Sequence, residues 1–266
     1  MKTLCKYLFV SSKVELQGQM VFRTNFFVGI LMIFLRVFML LALWNALYIG
    51  KDLVNGIDLP TMRFYTVVSV VVEVFISSNI EKNIGEKIKN GDISVLMTRP
   101  ISYPIAVSLD QLAFTFQNIV IRVLPYTLIL FLSGIAFGAQ VQVSFSFFLS
   151  IFLSYLLMMF YQLFFGFISF WTLEISGILE ARDAAMLVFS GSMIPLWFFP
   201  DWLFAIARFL PFQALFNTPL SILIGKISGQ DIGFYLLVQV GWVLIFFILT
   251  VLFWKKAKRR VIVNGG

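Results

Sequence analysis

Six times between Phe26 and Trp254 the chain returns to a long apolar run, at Phe26–Ile49, Phe64–Ile80, Asn118–Phe137, Phe145–Leu173, Ala184–Phe199 and Ile232–Trp254. A helix needs about 20 apolar residues to cross a hydrocarbon core about 30 Å thick. The runs therefore predict six transmembrane helices, the fifth being the shortest. Helices rather than a barrel are expected, because lipid cannot pair a free backbone amide and no alternating strand pattern is present. Composition removes the soluble alternative: with 60% hydrophobic residues and only 12% charged, a water-soluble domain of this length could not cover its own surface. The expected fold is one all-α membrane domain over residues 1–266.

Lysine and arginine set the orientation of such a domain, since they are retained on the cytoplasmic side. On the side of the N-terminus lie four in residues 1–25, four in 81–104, one in 174–183 and five in 255–266; the other side carries Lys51, Arg63, Arg208 and Lys226. Both termini are expected in the cytoplasm of a multi-pass cell-membrane protein. The run Lys255, Lys256, Lys258, Arg259, Arg260 then reads as a basic cytoplasmic tail (255–266) bound to lipid headgroups, and no nucleic-acid partner is expected. In residues 1–25, Leu4, Tyr7, Val10 and Val14 share one face of a helical wheel, which predicts an interfacial helix along the inner leaflet. The first apolar run begins too late for a cleavable signal.

Two charges lie deep in the runs. Arg36 is ten residues into the first and Glu73 about seven from the inner end of the second. At ~1.5 Å per residue both sit ~10–15 Å deep, which predicts an intramembrane ion pair. Between the fifth and sixth runs, Met193–Gly225 stays apolar but is cut by Pro195, Pro200, Pro211 and Pro219. No piece is long enough to cross, so residues 200–225 are expected to form an outer re-entrant hairpin of two short helices. Trp197, Trp202 and Phe212 are expected near the outer interface.

Little chemistry is encoded. The chain has no phosphate-binding loop, no His and a single Cys, so ATP hydrolysis, zinc catalysis and Ser–His nucleophiles have no residues to work with. No catalytic residue, no metal ligand and no cofactor-binding residue is expected. What remains is a polar island on the cytoplasmic side, "GDISVLMTRPISYP", Gly91 to Pro104. Asp92 can cap a short helix with Ile93, Leu96 and Met97 on one face, Pro100 stops it, and Ser102 can cap the next helix with Pro104 in its first turn. Such a knob, within a coupling segment at 81–104, suits insertion into a groove on a soluble partner.

The stretch "NGDISVLMTRPISYP" resembles the cytoplasmic segment between the second and third helices of permease subunits of type 2 ATP-binding-cassette (ABC) exporters, the daunorubicin-exporter-like branch. "SGSMIPLWFFPDWLFAIARFLPFQALFNTPLSILIG" resembles the outer re-entrant hairpin of the same family. The resemblance implies a prokaryotic plasma-membrane permease that pairs with a second, identical or homologous permease. A separate cytoplasmic ABC ATPase subunit would bind ATP and Mg and grip the segment after span two, with Gly91, Asp92, Ile93, Arg99 and Pro100 in the contact. It further implies export of an apolar or amphipathic substrate, such as a drug, peptide antibiotic or lipid-like molecule. The residues alone also leave open a stand-alone secondary transporter and a polytopic membrane enzyme.

Overall fold

The computed structural model describes residues 23–98, 100–132, 134, 138–172 and 175–264. The expected interfacial helix of residues 1–25 falls almost wholly outside them, as does Arg99. The fold is that of an all-α membrane protein. Helix α1 (Arg23–Leu47) leads through a minimal hairpin, β1 (Leu53–Val54) against β2 (Ile57–Asp58), into α2 (Leu59–Ile76). The hairpin turns on Asn55 and Gly56, at φ of 53° and 78°, the Asn-Gly pair that tolerates two successive positive φ values. Beyond a break at Ser77–Asn79 follow α3 (Ile80–Lys89) and the short α4 (Ile93–Met97). Helix α5 (Tyr103–Asn118) continues through a π-helical turn (Ile119–Val123) into α6 (Leu124–Leu132). The remainder comprises α7 (Phe145–Ile168), α8 (Ser176–Phe189), a 3-10 turn (Leu196–Phe198), α9 (Asp201–Ala207), α10 (Asn217–Leu223) and α11 (Asp231–Asn264).

Among the described residues five helical stretches are long and apolar enough to cross a membrane: Val28–Leu47, Leu59–Lys89, Tyr103–Leu128, Phe145–Ile168 and Asp231–Arg260. They correspond to the first, second, third, fourth and sixth predicted spans, with different ends. The second runs on through the charged α3, the third begins at Tyr103 rather than Asn118, and the expected basic tail is the last part of α11. Hydrogen bonding, not hydropathy, decides where a helix stops.

The fifth predicted span is not a single helix. Helix α8 has 14 residues and ends before Ser190–Met193, where Gly191 adopts φ 79°. The interrupted backbone is satisfied by protein. Tyr65 donates to the Gly191 carbonyl at 2.7 Å and Ser69 to that of Ser192 at 2.9 Å. The Asn217 amide donates to Ser190 O at 2.9 Å. Irregular backbone at such a place persists only with internal partners of this kind.

Helix α7 lies at the centre, packed against α3, α10 and α11. The main core joins Trp44, Met62, Tyr65, Leu157, Tyr161 and Leu220. Polar groups are turned inward: Gln239 of α11 donates to Ala214 O at 2.7 Å and accepts from Ser150 Oγ of α7 at 2.9 Å. Large apolar side chains such as Met32, Phe38 and Met39 of α1 and Leu237 of α11 are exposed, as a lipid solvent allows.

Candidate functional site

The first candidate is the end of α3 and the short α4. Amphipathic α3 buries Ile80 and Ile84, one turn apart. Gly91 follows it at φ 78° with its amide on Ile88 O at 3.2 Å, the left-handed turn that closes a helix C-terminus. Asp92 does not cap α4: its backbone is helical and its side chain makes no capping bond. Ser94 Oγ holds the turn instead, donating to Gly91 O at 2.9 Å. Ser102 occupies the cap position of α5 without a side-chain bond, and Pro104 lies in the first turn.

The apolar face of α4 is occupied from within. Ile93 is 7% exposed and joins a second core of Ile80, Ile84, Tyr103, Phe167 and Ala257, and Leu96 and Met97 pack against the same cluster. What faces outward is Asp92, Ser94, Val95, Thr98 and Pro100, with Val95 67% exposed. Ala257 brings the Lys/Arg run of α11 to this same end of the bundle.

The second candidate, which sequence reading missed, is a cavity of about 340 Å³ between α2, α3, α7 and α8. Arg36 and Glu73 form a two-point ion pair at one part of its wall, Nη1 lying 2.9 Å from Oε1 and 2.7 Å from Oε2. At another, Arg182 Nη2 donates to Glu81 Oε1 at 3.1 Å, and the same guanidinium contacts Asp183, with Nε 3.0 Å from Oδ1. The Glu81 and Arg182 side chains are 4% and 6% exposed. The guanidinium also lies 5.8 Å from the ring of Tyr161 and 5.5 Å from that of Phe165, within cation–π range. Glu81 Oε2, Arg182 Nη1 and Gln162 Oε1 have no hydrogen-bond partner among the described residues. Glu81 and Asp183 also line a neighbouring cavity of about 310 Å³. The available signal was charge at the edges of two apolar runs on one side of the membrane, Glu81 beside Lys82 and Arg182 beside Asp183. Charges are so common at such edges that Arg182 counted only toward orientation.

Helices α9 and α10 occupy the expected hairpin region. Pro195 and Pro200 precede the 3-10 turn and α9, and Pro211 is buried between α9 and α10. Trp197 packs edge-on against Tyr65 and Phe212 against Tyr161, with centroids 5.3 and 6.2 Å apart, whereas Trp202 is 67% exposed. Of the three expected interfacial aromatics, Trp202 alone is exposed.

The Arg36–Glu73 geometry carries a prediction. Either residue changed to Ala leaves an uncompensated charge in a helix apolar enough to span a membrane, where lone charges are costly. Both single variants should lose thermal stability in detergent, and the double variant should recover part of that loss. Strictly additive losses in this cycle would refute the pair.

No curated protein matches the chain. Residues 31–265 match the family described as ABC-2 family transporter protein. The match is to the family as a whole and does not distinguish its daunorubicin-exporter-like branch. It covers all five long apolar helices except the first eight residues of α1, together with the α4 segment and both cavities. The chain therefore belongs to the ABC-2 family of transporter proteins and is a multi-pass membrane component of an ABC transporter.

Proposed function

We propose that this chain is the permease subunit of an ATP-driven exporter, moving an apolar or amphipathic substrate with energy supplied by a separate ATPase. Two permeases, identical or homologous, would enclose the path, with both termini cytoplasmic. The observation that carries this reading is α4. A five-residue helix is too short to hold its own shape, yet Ile93, Leu96 and Met97 seat it on the protein's core. Its outer face, Asp92, Ser94, Val95, Thr98 and Pro100, is thereby offered to a partner as a fixed relief. Gly91 supplies the turn, and Arg99 belongs to the same contact by the family resemblance. ATP and Mg would be bound by the partner, since this chain has no phosphate-binding loop.

The test is to co-express the chain with candidate ABC ATPase subunits, purify any complex and measure ATP turnover. The permease alone is expected to show none, and the complex is expected to hydrolyse ATP and export. Turnover by the rigorously purified chain alone would overturn the reading.

A further inference from the structure

We propose that the cavity between α2, α3, α7 and α8 receives the headgroup of a zwitterionic amphiphile, one carrying an ammonium and an anionic oxygen on the same head. This rests on the permease reading and names the substrate chemistry the cavity would select. The charges on its wall balance: Arg36, Lys82 and Arg182 against Glu73, Glu81 and Asp183. A ligand with net charge would leave that charge unmatched on a charge-balanced wall, which is unfavourable beside the Glu81 and Arg182 side chains, 4% and 6% exposed. A head of both signs meets a partner for each and adds no net charge. The unused hydrogen-bonding capacity is also of both kinds, acceptors on Glu81 and Gln162 and a donor on Arg182. Met158 and Met186 line the same cavity, and their flexible thioethers can follow an alkyl chain of variable shape.

Three probes that share an octyl tail separate the possibilities: N-octyl-N,N-dimethylglycine (zwitterion), octyltrimethylammonium (cation) and octanoate (anion). Each is titrated calorimetrically, below its micelle concentration, into the permease in phosphatidylglycerol nanodiscs, with empty nanodiscs as the blank. The zwitterion should bind saturably and at least about tenfold more tightly than either ion. Arg182→Gln should shift the preference toward the cation and Glu81→Gln toward the anion. The exchange Glu81→Arg with Arg182→Glu should restore the zwitterion. A purely structural ion pair would not change which probe wins. Equal or tighter binding of either ion, or no binding of any probe, by the unaltered protein overturns the proposal without recourse to a variant. So does an unchanged preference in folded single variants. Co-purification with the ATPase is scored on the same samples. If the ATPase stays bound while the zwitterion preference fails, only the headgroup inference falls; if the zwitterion binds and no ATPase joins, the exporter reading falls.

Discussion

Val95→Asp is expected to uncouple the permease from its ATPase while leaving the membrane domain folded. Val95 is 67% exposed on the outer face of α4, so the free protein has no reason to resist the change. In a complex the same carboxylate would lie unpaired in a desolvated groove, a central contact of the kind whose loss weakens interfaces by about 2 kcal/mol or more. Ile93→Asp should behave differently. Ile93 is 7% exposed in the core that seats α4, and an uncompensated charge there costs about 3–5 kcal/mol. It should release the helix, lower thermal stability and abolish coupling as a secondary effect. Leu96→Asp should resemble Ile93→Asp in weaker form, since Leu96 is half-buried against the same cluster. The measurements are co-purification with the ATPase, export, and monodispersity and melting of each variant. A Val95→Asp protein that keeps its partner and its transport would remove α4 from the contact.

Gly191→Ala is expected to be among the most damaging single-methyl changes in the chain. At φ 79° an L-residue is strained by roughly 1–2 kcal/mol. Its Cβ would also lie 2.8 Å from Asn217 Cβ and 3.3 Å from Asn217 Cα. Asn217 cannot simply withdraw, because its Oδ1 accepts from the Leu196 amide at 3.3 Å and its own amide holds Ser190 O. Overpacking adds a further ~1–3 kcal/mol, so a loss of roughly 2–5 kcal/mol is expected, read as a lower melting temperature in detergent. Gly177→Ala is the control: no described residue lies within 4 Å of its added Cβ, and the residue is helical, so it should be neutral or mildly stabilising. Equal melting of the Gly191→Ala and unaltered proteins would show that the bend at Ser190–Met193 does not need its glycine.

Hydropathy located the long helices because a bilayer imposes one length on all of them, but it misjudged their ends. In α3, Ile80, Ile84 and Ile88 recur at four-residue intervals among Glu81, Lys82, Glu86, Lys87 and Lys89; the stripe was present, and averaging with its charged neighbours hid it. The break after α8 was not legible, since what stabilises it is Tyr65, Ser69 and Asn217, far away in the chain. Arg36 and Glu73 were noticeable as solitary charges at similar depth, and the structure puts them in contact. Glu81 and Arg182 meet across 101 residues from positions where charge attracts no notice. For α4, periodicity identified the apolar side and could not say whose core it enters.

Gly166 lets α7 and α3 approach so closely that an added Cβ there would sit 2.6 Å from Ile84 Cδ1 and 3.2 Å from Glu81 Cα. These two helices, with α4 and α11 packed onto them, have no room to slide against one another and behave mechanically as a single block. Helix α8 is the opposite case, fully burying only Leu179 and Arg182. Elements with so few buried contacts separate first. The molecule thus has a seam, with Glu81 fixed to the block and Arg182 riding on the looser slat, and their ion pair is the latch across it. On the proposed reading, a load applied at α4 would enter this block and meet its first looser neighbour at the cavity wall.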